Sequence, residues 1–423
     1  MSHHDGKMIL FLGDGMGGRD VPSLGGRTCL EAADTPCLDT VARLGASGMM
    51  YLAGPGVPVG SDTAHMTLVG YDPFTQYRGR GPFEARGVGL EVRPGDVAFR
   101  CNFSTLDDEG RITDRRARRI KSGTAELAAA LMERCKGGLD GVQVFFKASV
   151  EHRAALVLRG EGLDYRVTDV DPHDVGLAPA VCRPAPDVPD EARAAAQKTA
   201  DLVNRFVEIA REVFGGHEVN RERREKGLPP ANVALPRGAG EAVHLKPFAE
   251  IHDGLSGAMI VEVDLVRGLG LYAGMDVLDV DGATGGADTD EIAIARAVAD
   301  NTGRYDVILC NIKAPDLGGH DSDARAKVRA IEKVDHAIGF LLDTVNWGST
   351  TIMVGADHCT PVSAGDHTGD AVPVVFYGNG VRRDLVEVYC ERTAASGGVG
   401  QLTGAQVVPL LRNFAGRVTK FGA

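Results

Sequence analysis

Short runs that are apolar at every position alternate along this chain with longer stretches whose apolar residues recur every three or four positions. Residues 8–12 (MILFL), 307–312 (VILCNI) and 351–354 (TIMV) are of the first kind, the pattern of strands buried on both faces of a parallel sheet. Residues 324–342, between the last two runs, carry helical spacing, so this part reads strand–helix–strand. The middle differs. Residues 142–146 and 155–158 read as strands, 184–189 are Pro-rich, and 190–226 form a charged helical stretch closed by Gly-Leu-Pro-Pro. The pattern predicts an α/β protein whose core has a mostly parallel sheet flanked by helices, built from residues 1–114 and 286–423. A smaller α+β domain at 115–285 would be inserted as the substrate-binding cap.

Charge narrows the function classes. With 46 Lys+Arg against 58 Asp+Glu among 423 residues, the net charge is −12, which argues against broad nucleic-acid or anionic-membrane binding. Metal cations and small anions held by local Arg clusters stay compatible with it. No run approaches the roughly 18 apolar residues of a membrane span. The run at 8–12 is also too short for a secretory leader. Eight scattered cysteines without CxxC spacing read as reduced thiols, so a cytoplasmic protein is expected.

The first candidate chemistry comes directly after the first strand. Gly13-Asp-Gly15-Met-Gly17-Gly18 fits the GxGxxG fingerprint of dinucleotide binding. That fingerprint needs a helix at its third glycine, whereas here the chain runs on through Pro22 and two more glycines as loop. Asp14 carries the other reading, a carboxylate at the C-terminal end of a buried strand. Asp316 and His320 follow the strand at 307–312, and Asp357 and His358 follow the one at 351–354, with His367 close behind. All would converge on one edge of the sheet. Aspartates and neutral histidines together suit divalent ions such as Mn²⁺ or Zn²⁺, and six such groups suffice for two. His3 and His4, on a polar tail, are not read as ligands. Ser61, in Gly60-Ser-Asp-Thr-Ala-His65, is a candidate nucleophile for phosphoryl transfer at such a site. It also reads as the cap of a helix at 63–68.

These residues stand in a wider set. LGDGMGG, GRTCLEAADTPCLDTVARLGASG, GSDTAHMTLVGYDP, YRGRGPFEA, AFRCNF, IKAPDLGGHD and ADHCTPV with DHTGD resemble the cofactor-independent phosphoglycerate mutases of archaeal type, in the alkaline phosphatase superfamily. DVDPH at 169–173, LPRGAG at 235–240, LVRGLGLYAGM at 265–275 and SGGVGQLTG at 396–404 extend the resemblance over nearly the whole chain. It implies an alkaline-phosphatase-like core, with one metal on Asp14, Ser61, Asp357 and His358 and the other on Asp316, His320 and His367. Mn²⁺ is the first expectation, with Zn²⁺, Co²⁺ or Mg²⁺ as alternatives. Ser61 would take the phosphate of 3-phosphoglycerate and return it to the 2-hydroxyl, with no free 2,3-bisphosphoglycerate needed. His65 would help hold the phosphoryl group.

A phosphorylated carboxylate calls for the planar donor forks of arginine. The candidates are Arg100, Arg115, Arg119, Arg153, Arg237 and Arg267, with Asp114 as an acid/base resembling the family's Asp beside Arg. Several would lie in the inserted domain, whose closure over the substrate would exclude water. Three positions depart from the family. Leu317 replaces a Glu, Ile294 stands where a Lys near the active site is usual, and Arg118 stands where Gly is common. A phosphohydrolase or transferase of another small phosphoester or phosphonate is the alternative within enzymes. A silent phospho-ligand sensor and a nicotinamide-dependent dehydrogenase are the alternatives outside this chemistry.

Overall fold

The computed structural model describes residues 6–422; His3 and His4 lie outside them. Two compact units emerge, one running up to Tyr77 and resuming at Leu245, the other spanning Arg78–His244. The division therefore falls at 78 and 244, not at the expected 115 and 285. Hydrogen bonding explains the shift. The strand Val97–Leu106 pairs with Arg153–Arg159 and Val233–Glu241, which draws it into the second unit. The strand Gly257–Val261 pairs with Val307–Ile312 and so belongs to the first.

The first unit holds, among the described residues, an eight-stranded sheet in the order Gly400–Thr403, Ala46–Tyr51, Val372–Gly378, Thr350–Gly355, Lys7–Gly13, Val307–Ile312, Gly257–Val261 and Asp276–Val277. Most neighbours are parallel; Val372–Gly378 runs antiparallel to both of its partners. The three runs read as buried strands are Lys7–Gly13, Val307–Ile312 and Thr350–Gly355, and they lie side by side at the centre. Their register brings the ends of the strands level. Gly13 pairs with Ile312 and Leu12 with Gly355, so all three chains leave the sheet at the same height on one edge. The expected helix spans Ala324–Thr344, capped by Asp323 on the amide of Ala326, and buries Ala330, Ile331, Val334, Ala337, Ile338 and Leu341. That is the apolar stripe of a helix packed on a sheet.

In the second unit the strands run Ile112–Asp114, Val97–Leu106, Arg153–Arg159, Gln143–Ala148, with Val233–Glu241 also paired to Val97–Leu106. The charged stretch at 190–226 is two helices, Asp190–Gly215 and Glu218–Glu225. The break comes at Gly216-His217, where the His217 ring accepts from the amide of Val219 and restarts the helix. Phe206 and Phe214 on the longer helix meet Phe146 and Phe103 on the sheet. Among the described residues no helix is long and apolar enough to cross a membrane.

One loop of this unit is strained. Ala117, Arg118 and Arg119 have φ of 43°, 53° and 50°, left-handed conformations that cost an L-residue about 1–2 kcal/mol. The Asp114 carboxylate holds the turn, accepting from the amides of Arg116 and Arg118 at 2.8 Å each. This accounts for glycine at position 118 in the family pattern. Arg118→Gly should raise stability to urea by about 0.5–1 kcal/mol, the relieved strain less glycine's extra entropy in the unfolded chain. An unchanged or lowered midpoint would contradict the strain.

Candidate metal centre

Three chains leave the sheet edge carrying carboxylates. Asp14 follows Lys7–Gly13, Asp357 follows Thr350–Gly355, and Asp316 lies in the short helix Ala314–His320 after Val307–Ile312. All three are at most 1% exposed. The glycines of the first loop serve this convergence and not a nucleotide, for no helix opens at Gly18; the first turn of helix after it is the 3-10 turn Pro22–Leu24. A Cβ on Gly15, whose φ is +60°, would sit 2.5 Å from the Thr360 hydroxyl, and one on Gly17 2.5 Å from Cys359 Sγ. Glycine lets the Asp14 loop lie directly against the Asp357-His358 loop. In the DLGGH segment, a Cβ on Gly318 would likewise lie 2.6 Å from the Lys327 amide.

The imidazoles are oriented by their Nδ1 atoms. His320 Nδ1 lies 2.9 Å from the Gly365 carbonyl and His367 Nδ1 2.7 Å from that of Val59. A carbonyl only accepts, so both Nδ1 atoms carry hydrogen and donate. The Thr360 hydroxyl donates to Asp316 Oδ1 at 2.7 Å, which leaves it to accept from His358 Nδ1 at 3.0 Å. All three Nε2 atoms are thereby left as the basic ends, and they converge. His320 Nε2 is 3.2 Å from His367 Nε2 and 3.4 Å from Asp316 Oδ2; His367 Nε2 is 3.5 Å from Asp316 Oδ1. His358 Nε2 is 3.6 Å from Asp14 Oδ1 and 3.3 Å from Asp357 Oδ2, an oxygen that is buried without a hydrogen-bond partner.

The donor set fits divalent cations. Ligands about 2.1 Å from one tetrahedral ion lie roughly 3.4 Å apart, close to the separations here. Asp14, Asp357 and His358 form one group with ligand atoms within 4.8 Å of one another; Asp316, His358 and His367 form a second, and His320, Asp366 and His367 a third. Asp366, exposed beside two of the expected ligands, was not singled out in the sequence. The charges point the same way. Burial and Asp14 push the Asp357 carboxyl well above its usual range. For Asp316 burial is outweighed by Lys313 and the histidines, which hold it well below. Burial and His367 keep His358 neutral, while Asp316 overcomes burial to raise His367. The cluster asks for positive charge.

Part of that charge is built in. Lys313 Nζ bonds Asp14 Oδ1 at 2.8 Å and Asp316 Oδ2 at 2.7 Å, and these carboxylates with Asp357 raise its pKa against burial. Asn311 donates to Asp14 Oδ2 at 2.7 Å. Neither was read from the sequence, although a lysine three positions before Asp316 was a visible signal. Ile294 is buried in the core and Arg296 stacks on Phe340. The ammonium group at the carboxylates is that of Lys313.

Ser61 is the first residue of the helix Ser61–Leu68 and not its cap, which is Gly60. Its hydroxyl is thus not spent on the helix end. Oγ lies 3.3 Å from His358 Nε2, and the residue is only 5% exposed. His65, one turn on, is fully buried behind Ser61, with Nδ1 donating to the Ser61 carbonyl at 2.7 Å. Burial lowers its pKa, and its Nε2 has no partner.

The second unit gathers a separate cationic set. Arg100 faces Arg237 across one strand pair, and Asn102 faces Arg153 across the other. Arg100 is nearly buried, salt-bridged at 3.1 Å to Glu84, which Arg80 also contacts. Arg115 grips Asp171 with two hydrogen bonds, and Arg237 lies 4.0 Å from the same carboxylate. Burial lowers the Arg237 pKa to about 10, and the Nε atoms of Arg100 and Arg237 and the Oδ1 of Asn102 are buried without partners. Arg80, Glu84, Asn102 and Asp171 fall within the motifs YRGRGPFEA, AFRCNF and DVDPH but were not singled out as site residues. Arg267 lies in the first unit, on the helix Asp264–Tyr272, paired with Asp279.

His152 reports the field of these arginines. Burial, then Arg153, Arg100, Arg116 and Arg119, push its pKa to about 2. It is neutral when folded, so its stabilising contribution is complete above the unfolded value near 6.5 and is lost as pH falls below it. Replacing it, as in His152→Leu, should remove about 1.4 kcal/mol of stability loss per pH unit between pH 6.5 and 4.5. Urea midpoints at several pH values check this; parallel profiles for the two proteins would contradict it.

The sequence model of the 2,3-bisphosphoglycerate-independent phosphoglycerate mutase family matches residues 42–220. A protein of Methanosphaera stadtmanae bearing that name is 47% identical over 419 residues, covering 99% of this chain and 100% of the relative. The solved structure of a Pyrococcus horikoshii protein aligns with TM-score 0.82 and 34% identity over 99% of both chains. That of the cofactor-independent phosphoglycerate mutase of Thermoplasma acidophilum aligns with TM-score 0.64 and 36% identity, covering 97% of this chain and all of the other. The chain belongs to the 2,3-bisphosphoglycerate-independent phosphoglycerate mutase family.

Proposed function

We propose that this protein interconverts 3-phosphoglycerate and 2-phosphoglycerate, with Ser61 carrying the phosphoryl group between the two positions. The observation that carries the reading is the convergence of three imidazole Nε2 atoms and three buried carboxylates beside a serine hydroxyl free of any capping role. Asp14, Asp357 and His358, with Ser61 adjacent, would hold one divalent cation, and Asp316, His320 and His367 the other. Such cations lower the pKa of a coordinated hydroxyl and neutralise phosphoryl oxygens. Mn²⁺ matches the mixed carboxylate–imidazole donors.

In the forward direction Ser61 Oγ bonds to phosphorus as the bond from phosphorus to the 3-oxygen breaks, and the serine proton ends on that oxygen. The 2-hydroxyl then attacks the phosphoserine, and Ser61 regains its proton as the phosphorus–Oγ bond breaks. The N-terminus of the helix Ser61–Leu68 favours the negative charge on the carried group. Lys313 fixes Asp14 and Asp316 in place, and buried His65 braces the first turn beneath the nucleophile. Because Ser61 keeps the phosphate, free 2,3-bisphosphoglycerate is not required. The carboxylate and phosphate of the substrate are assigned to Arg100, Arg115, Arg119, Arg153 and Arg237, with Asp114 serving the glycerate hydroxyls. Eight free cysteines support a reducing, cytoplasmic setting.

Ser61→Ala should abolish formation of 2-phosphoglycerate in a coupled assay while Mn²⁺ binding persists. Retained turnover would contradict the nucleophile. Chelation should silence the wild-type enzyme and added Mn²⁺ should restore it, with no accumulation of inorganic phosphate from 3-phosphoglycerate. Phosphate release in place of 2-phosphoglycerate would make the protein a hydrolase.

A further inference from the structure

The helix Ala324–Thr344 buries a lysine completely. Lys327 is 0% exposed, yet its Nζ bonds no carboxylate at hydrogen-bond distance. It donates instead to three backbone carbonyls, of Gly15 and Gly17 at 2.8 Å each and of Thr360 at 2.7 Å. An ammonium has three N–H donors and each has one acceptor, so the group is fully satisfied. The carbonyls come from two different loops. Gly15 and Gly17 flank the turn after Asp14, and Thr360 ends the segment that starts with Asp357 and His358.

Those two loops also meet in β-bridges of Met16 and Gly17 with Cys359 and through two further hydrogen bonds. The amide of Gly15 reaches Asp357 Oδ1 at 3.0 Å, and the amide of Thr360 reaches the Gly17 carbonyl at 3.2 Å. Thr360 is the point that matters most. Its hydroxyl joins Asp316 to His358, one residue from each ligand set, and its carbonyl is the one Lys327 holds. Gly318 leaves room for the Lys327 backbone, so the helix carrying Asp316 rests on the same residue. On the far side Glu391 accepts from the Gly18 amide at 3.0 Å and the Thr28 hydroxyl at 2.8 Å, closing the loop's other end.

We propose that Lys327 is a positioning residue for the two-metal site, an internal ammonium that ties the Asp14 loop to the Asp357-His358 loop and, through Thr360, sets both groups of ligands before any ion binds. It touches neither substrate nor reacting atoms. A side chain that merely filled the core would need no charge, and an apolar one of the same length would strand three buried carbonyls. The inference rests on the metal reading of the site, and metal affinity separates the two.

The test is Mn²⁺ binding to metal-free protein, followed by the electron-spin signal of the free ion, for wild type, Lys327→Met and Thr360→Val. Loss of a supporting contact of this kind weakens metal affinity about 10- to 100-fold. That loss is expected in both variants, with kcat lowered, KM nearly unchanged and kcat partly recovered at high Mn²⁺. A folded Lys327→Met protein with wild-type affinity would make the lysine a core residue only and overturn the inference. Should Lys327→Met fail to fold, Lys327→Gln, which keeps two N–H donors but no charge, decides: unaltered affinity there overturns the inference and weakened affinity supports it. Wild-type protein that binds no divalent ion would overturn both this inference and the metal reading beneath it.

Discussion

Three carboxylates buried together at the edge of a parallel sheet are the constraint on which this site depends. Asp14, Asp316 and Asp357 are each nearly inaccessible to water, and like charges so placed repel strongly in a low-dielectric interior. Compensating groups surround them. Lys313 bridges two of the carboxylates, Asn311 donates to one, and three imidazoles turn their basic nitrogens inward beside them. The remaining demand for positive charge is what marks the cluster as a candidate metal centre rather than a salt-bridge network. The same electrostatics places Ser61 where a negative phosphoryl group would be welcome, at a helix N-terminus beside the cation ligands.

The convergence originates in strand register. Central parallel strands that end level with one another deliver three loops to one place, the position at which α/β sheets present ligands. The loops must then lie almost in contact, and glycine is what permits it at Gly15, Gly17 and Gly318. The GxGxxG spelling thus reflects close packing of ligand loops and not a cradle for pyrophosphate.

Much of this was legible in the sequence because its signals are local. An all-apolar run followed by Asp marks a strand end, and repeated three times it marks the site. What escaped was non-local or looked ordinary. Lys327 is a lysine near charged neighbours in the chain, and nothing in its spacing distinguishes a buried ammonium group from a solvated one. The unit boundary was misplaced because residues 97–106 pair with partners more than fifty and more than a hundred residues away, which no short-range pattern reveals. The arginine candidates fell into two units for the same reason: Arg267 resembles the others in sequence context but lies in the first unit, paired with Asp279. One departure from the family pattern loses its force: position 118 is a left-handed turn, where glycine is the relaxed choice.

The central claim is that Ser61, held among these ligands, carries the phosphoryl group. The most direct measurement is acid quenching of the enzyme during turnover of 3-phosphoglycerate, with peptide mass spectrometry of the quenched chain. Phosphate is expected on Ser61 alone, at a level that falls when substrate is withdrawn. Turnover with no phosphate on Ser61, or with phosphate on a different residue, would contradict it.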